Sequence, residues 1–71
     1  MDIRTRFGLN VRQLRKAKGL SQEEFAFDSE IHRTYVSDVE RGRRNPSLTQ
    51  IEKFALALDV KPGHLLDREP E

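Results

Sequence analysis

Arg33, Thr34, Ser37 and Asp38 stand at i, i+1, i+4 and i+5 of one short segment and bring donors and acceptors with little apolar surface. At helical spacing they share a face. A guanidinium such as that of Arg33 can bond both O6 and N7 of a guanine in the DNA major groove, discriminating by about 1–3 kcal/mol. Thr34 offers a hydroxyl to a base edge or a methyl to a thymine, and Ser37 can reach base or phosphate. The Asp38 carboxylate can accept from a cytosine amino group, or orient Arg33 or another basic group by charge. Near phosphates a carboxylate is otherwise a penalty, so Asp38 also reads as a device that rejects wrong sequences. Each residue has a plainer reading: Arg33 as a solvated arginine, Thr34 as an inconsequential helix-start threonine.

Other residues nearby suit the DNA backbone. Tyr35 can bond a phosphate or lie beside a sugar, or simply be half-buried packing. Arg43, Arg44 and Asn45 form a short basic loop whose expected contacts are phosphates, which position a protein without specifying sequence. Gln22 opens a helix, where backbone N–H groups and the helix dipole favour an anion.

These groups require two short helices clasped about a tight turn, in residues 21–41. Ser21-Gln22-Glu23-Glu24 is a capping box, and Leu20 and Phe25 stand at hydrophobic-staple positions. Phe25, Ala26 and Ser29 are expected to point inward, with Ala26 where two helix backbones cross closely. Glu30 occupies the turn, His32 the cap of the third helix, and Ile31, Val36 and Val39 its buried face. Gly42 ends it.

The remaining chain supplies the supporting helices. Phe7, Val11, Leu14 and Ala17 predict one apolar stripe on a first helix over 4–18, closed by Gly19. Ser47-Leu48-Thr49-Gln50 reads as a second capping box, and Leu48, Ile51, Phe54, Ala55 and Leu58 as the buried stripe of a fourth helix. Pro62 fits the first turn of a fifth, with Leu65 and Leu66 closing the core. The expected fold class is all-α: a compact five-helix bundle containing a helix-turn-helix. Residues 1–66 form one domain, and residues 67–71 (DREPE) a frayed polar tail.

Bulk properties agree. Seventy-one residues make one domain near the lower size limit for folding without staples. There is no cysteine, hence no disulfide and no thiolate metal site. No apolar run approaches the roughly 18–20 residues that span a bilayer, and the N-terminus lacks the apolar core of a signal peptide. The net charge of +1 conceals a segregation: +5 in residues 1–20, −5 in 21–40, +3 in 41–45 and −2 in 46–71. The basic first helix and the arginine loop would make a phosphate-facing stripe, or ordinary solvated helix faces. His32 and His64 have no ligand-spaced companions and no glycine-rich loop could cradle a nucleotide, so no metal, cofactor, small-molecule ligand or catalytic role is expected.

At this point the chain resembles the phage repressor/Cro (XRE-type) helix-turn-helix family. The resemblance is carried by Val11-Arg12-Gln13-Leu14-Arg15, Gly19 to Ala26, Tyr35 to Gly42, Asn45-Pro46-Ser47-Leu48, Ala57-Leu58 and Leu65-Leu66. A narrower similarity, to restriction–modification controller proteins, rests on Ala26-Phe27-Asp28-Ser29, Arg33 to Ser37, Glu40-Arg41 and Arg44-Asn45. The family resemblance implies a DNA-binding transcription regulator, a homodimer on a pseudo-palindromic operator of double-stranded DNA, in a bacterial or phage cytoplasm. It implies base reading by Arg33, a phosphate anchor in the Gln22 amide, and a structural ion pair between Arg15 and Glu40. Leu56 and Phe27 fall off the core stripes and are the dimer-interface candidates. Two departures stand out: Glu30 holds a position usually given to glycine, at a cost of about 1–2 kcal/mol, and His32 a cap usually given to better capping residues. The rival class is a protein-interaction module, an antitoxin or partner-binding domain, with Phe27, Tyr35 or Leu56 as its contact surface.

Overall fold

Helix boundaries fall where the capping residues put them. The computed structural model describes residues 1–70, with helices α1 (Ile3–Ala17), α2 (Gln22–Ser29), α3 (Arg33–Glu40), α4 (Leu48–Leu58) and α5 (Pro62–Asp67). Asp2 caps α1 through an acceptor to the Arg4 N–H at 2.7 Å. Gly19, at φ +75°, closes it: Leu20 N–H bonds the Arg15 carbonyl and Gly19 N–H the Lys16 carbonyl, satisfying two end carbonyls. Gly42, at φ +73°, ends α3 by the same device, with Arg43 N–H on the Asp38 carbonyl at 2.9 Å.

The capping box of α2 is complete. Ser21 Oγ accepts from Glu24 N–H at 3.0 Å, and Ser21 N–H donates to Glu24 Oε1 at 2.9 Å. That donor holds the Glu24 carboxyl below its ordinary range. The corresponding box at α4 is only half formed: Ser47 Oγ accepts from Gln50 N–H, whereas Gln50 Oε1 is buried without a partner.

The turn between α2 and α3 is left-handed with Glu30 in it, at φ 58° and ψ 31°. The tight turn is therefore kept without glycine. Ile31 N–H reaches back to the Ala26 carbonyl at 3.2 Å, and Lys53 Nζ of α4 donates to the Glu30 carbonyl at 3.2 Å. His32 does cap α3: its Nδ1 accepts from the Thr34 N–H at 3.2 Å, which requires the ring proton on Nε2.

The core is Phe7, Val11, Phe25, Ala26, Ile31, Val36, Val39, Phe54, Ala55, Leu58 and Leu65, with Phe54 at its centre. Phe7 meets Phe54 edge-on at 5.7 Å between centroids, and Phe25 stacks on it at 5.9 Å. Both are favoured ring geometries. Two positions expected in the stripes are outside. Ala17 is exposed in the last turn of α1, and Leu48, 84% exposed, is the first residue of α4, before that helix turns its apolar face inward.

Ala26 is buried, and at Gly8 of α1 an added Cβ would collide with the Val39 carbonyl oxygen of α3. Glycine in mid-helix costs roughly 0.5–1 kcal/mol relative to alanine; here it lets α1 lie directly on α3. At the other side of α1, buried Asn10 donates to the Leu65 and Arg68 carbonyls at 2.9 and 2.8 Å, and Arg6 donates to the Leu66 carbonyl at 3.1 Å. Asp67 is the last residue of α5 and the Arg68 carbonyl is held by Asn10 of α1; of the tail expected over 67–71, Glu71 lies outside the described residues.

Candidate nucleic-acid interface

Helix α3 presents one face to the core and one outward. Val36 and Val39 are buried, Arg33 and Thr34 are exposed, and Ser37 and Asp38 are half-buried at the edge of the outer face. His32 and the left-handed Glu30 set where this face begins. Arg33 stands at the leading end, with its Nε 3.6 Å from Glu23 Oε1 of α2, the two side chains 59% and 77% exposed. An exposed pair at that distance is weak and readily exchanged for another anion.

Asp38 engages a different arginine. Its Oδ2 accepts from Arg44 Nε at 3.3 Å, so the carboxylate faces the loop and not Arg33. The Arg44 guanidinium also lies over the Tyr35 ring, 5.1 Å from the centroid, a cation–π distance. Tyr35 in turn packs on Phe54 at 6.3 Å. Tyr35 is therefore half-buried packing between Phe54 below and the Arg44 guanidinium above. Arg43, Arg44 and Asn45 are all exposed.

Gln22 is turned inward. Its Nε2 donates to Glu40 Oε1 at 3.2 Å, which leaves the backbone N–H groups at the start of α2 as donors for an anion there. Glu40 is the hub of a buried cluster. Arg15 Nε and Nη2 donate to its two carboxylate oxygens at 2.7 and 2.9 Å, and Arg15 Nη1 donates to the Leu20 carbonyl at 2.7 Å. This is a bidentate fork between α1 and α3, with the side chains 7% and 3% exposed. Arg12 and Arg41 line a shallow cleft above it with Gln22.

The basic stripe is thinner than composition implies. Arg4 pairs with Asp2 at 3.1 Å, Arg6 caps the end of α5, and Arg15 is buried. Arg12 and Lys16 of α1 and Lys18 at its C-cap are exposed as well. The dimer candidates are each 75% exposed but are not brought together: Phe27 sits by Leu20 and the acidic side of α2, Leu56 by Asp59, Val60 and Lys61. Among the described residues no cluster of His, Asp or Glu could hold a metal ion, and no helix is long and apolar enough to cross a membrane. Sequence reasoning missed Gly8, Asn10 and Lys53; only a glycine in mid-helix and an asparagine interrupting a helix face hinted at the first two.

A helix-turn-helix sequence profile, HTH_3, matches residues 11–65. The control protein C.BamHI of Bacillus amyloliquefaciens is 55% identical over 67 residues, covering 93% of this chain and 83% of its own length. The crystal structure of the restriction–modification controller protein C.AhdI of Aeromonas hydrophila superposes with a TM-score of 0.82 at 55% identity, over 87% of this chain and 94% of that one. The controller protein C.Esp1396I, solved as a tetramer with its natural 35-base-pair operator, superposes with a TM-score of 0.82 at 28% identity, over 92% and 86% of the two chains.

Proposed function

This chain belongs to the HTH_3 helix-turn-helix family, and from that premise we propose that it is a sequence-specific, double-stranded-DNA-binding transcription regulator that acts by occupying an operator. Helix α3 enters the major groove. Arg33 and Thr34 meet base edges, Ser37 lies beside them, and Asp38 borders the same face. The backbone is held by the start of α2 at Gln22, by Tyr35, and by Arg43, Arg44 and Asn45. The single observation that carries the reading is the outward presentation of α3 with exposed Arg33 at its leading end.

The regulator acts as a homodimer, with Leu56 or Phe27 in the two-fold contact. Two copies of α3 then read successive major grooves about 34 Å apart over a pseudo-palindrome. The narrower role is control of a restriction–modification locus, supported by 55% identity with C.BamHI and C.AhdI. Control is by protein concentration in the cytoplasm, with no cofactor and no catalytic step.

The test is binding to duplex DNA across a range of salt. Each neutralised phosphate steepens log affinity against log salt by about 0.9. A salt-independent affinity for mixed-sequence DNA would instead fit an interaction module. Oligonucleotide selection then yields the operator, and its occurrence beside an adjacent methyltransferase or endonuclease gene decides the narrower role.

A further inference from the structure

We propose that Asp38 is a positioning residue for Arg44, so that the loop arginine reaches DNA in one preset orientation. The inference rests on the DNA-binding reading above and deepens it. Asp38 holds the loop twice. Its main-chain carbonyl accepts from Arg43 N–H at 2.9 Å, which fixes the departure of the loop from α3. Its carboxylate, 24% exposed, accepts from Arg44 Nε at 3.3 Å, which restrains a side chain otherwise 48% exposed.

The guanidinium is then restrained on a second side by the Tyr35 ring at 5.1 Å, and Tyr35 is itself seated on the fully buried Phe54. The orientation of Arg44 is thereby referred to the core through one aromatic ring and to the recognition helix through one carboxylate. With Nε given to Asp38, the two terminal nitrogens remain for an anion of the DNA backbone. A planar fork held this way loses less side-chain freedom on binding than a loose arginine. This accounts for a carboxylate on a face that meets phosphates, where its own charge is unfavourable.

The alternative is that Asp38 is only a solvated acid near DNA. The two differ in sign. Removing a merely repulsive carboxylate tightens binding to every sequence; removing a positioning carboxylate weakens binding, and only while Arg44 is present.

The experiment is a double-mutant cycle on the full chain, using a duplex selected from a random pool by the wild-type protein and a mixed-sequence duplex as reference. Asp38→Asn should weaken binding to the selected duplex by about tenfold, and should have no weakening effect in an Arg44→Ala background. Arg44→Lys keeps the charge but not the fork, and should weaken binding as Asp38→Asn does. Thermal melts check that each variant is folded. Tighter binding by Asp38→Asn, an equal effect with and without Arg44, or wild-type affinity in Arg44→Lys would each overturn the proposal. If the wild-type protein enriches no duplex at all, the DNA reading has failed and the inference falls with it; if it enriches one and the cycle shows no coupling, only the inference falls.

Discussion

Two arginine–glutamate pairs join helices of this molecule and do opposite things. Arg15–Glu40 is buried, bidentate and reinforced by Gln22 and the Leu20 carbonyl. Arg33–Glu23 is exposed, single and 3.6 Å apart. The residue types are the same, and the chain positions differ only in which helix faces which. A buried pair is anchored because each charge, once out of water, has no solvent to take its partner's place. An exposed pair competes with solvent and salt at little cost, so its arginine remains free to meet a ligand. The buried pair clasps α1 to α3 and so sets the rod; the exposed pair leaves the tip of the rod unlocked.

The largest expected effect tests the buried member. Glu40→Ala should destabilise the fold by about 3–5 kcal/mol in urea unfolding, because it leaves the Arg15 charge buried and unpaired. Replacing both partners with apolar residues should cost much less than either single change. A small loss in the single variant would erase the distinction drawn between the pairs. At the same α1–α3 seam, Gly8→Ala drives a methyl onto the Val39 carbonyl oxygen. The expected loss is about 1–3 kcal/mol or more, read from the same unfolding curves, since backbone cannot move aside cheaply.

The exposed member predicts a binding effect without a folding effect. Arg33→Ala should leave the unfolding midpoint within about 0.5 kcal/mol of wild type. It should relax base preference at one operator position by about 1–3 kcal/mol, seen by repeating the oligonucleotide selection. Glu23→Gln should change stability by less than about 1 kcal/mol and tighten DNA binding slightly, as a carboxylate leaves the arginine's side. Loss of fold in either variant would mean that this pair, too, is structural.

The smallest effect is a pH dependence at the cap of α2. The Glu24 carboxyl is held below its ordinary value of 4.5 by the Ser21 N–H, with the Ser21 side chain adding to it. The stability it adds is present above the unfolded-state value and is lost as pH falls through the lower folded-state value. Glu24→Gln keeps an acceptor at that position and should remove this part of the acid sensitivity. Unfolding curves at neutral and acid pH for the two proteins give the comparison.

Local signals were legible along the chain. Ser21 with Glu24, Gly19, Gly42 and Pro62 placed helix ends because capping and positive φ are satisfied within a few residues. The spacing of Phe7, Val11, Phe54 and Leu58 placed buried faces because the helix period is short-ranged. Even the left-handed Glu30 and the His32 cap fell where the turn needed them, though the Lys53 brace could not be foreseen. The half-formed box at Ser47 and the exposed Leu48 show where pattern alone misleads: a first-turn residue shares a stripe's period before its helix has met the core. Partner choice among charges was decided by tertiary structure. Residue type does not distinguish Arg6, Arg15, Arg33 and Arg44, yet one caps a helix end, one is buried, one stands exposed at the start of α3 and one pairs with Asp38. Such pairings join different elements of the fold, and which acid or carbonyl comes within reach is settled only when the helices pack.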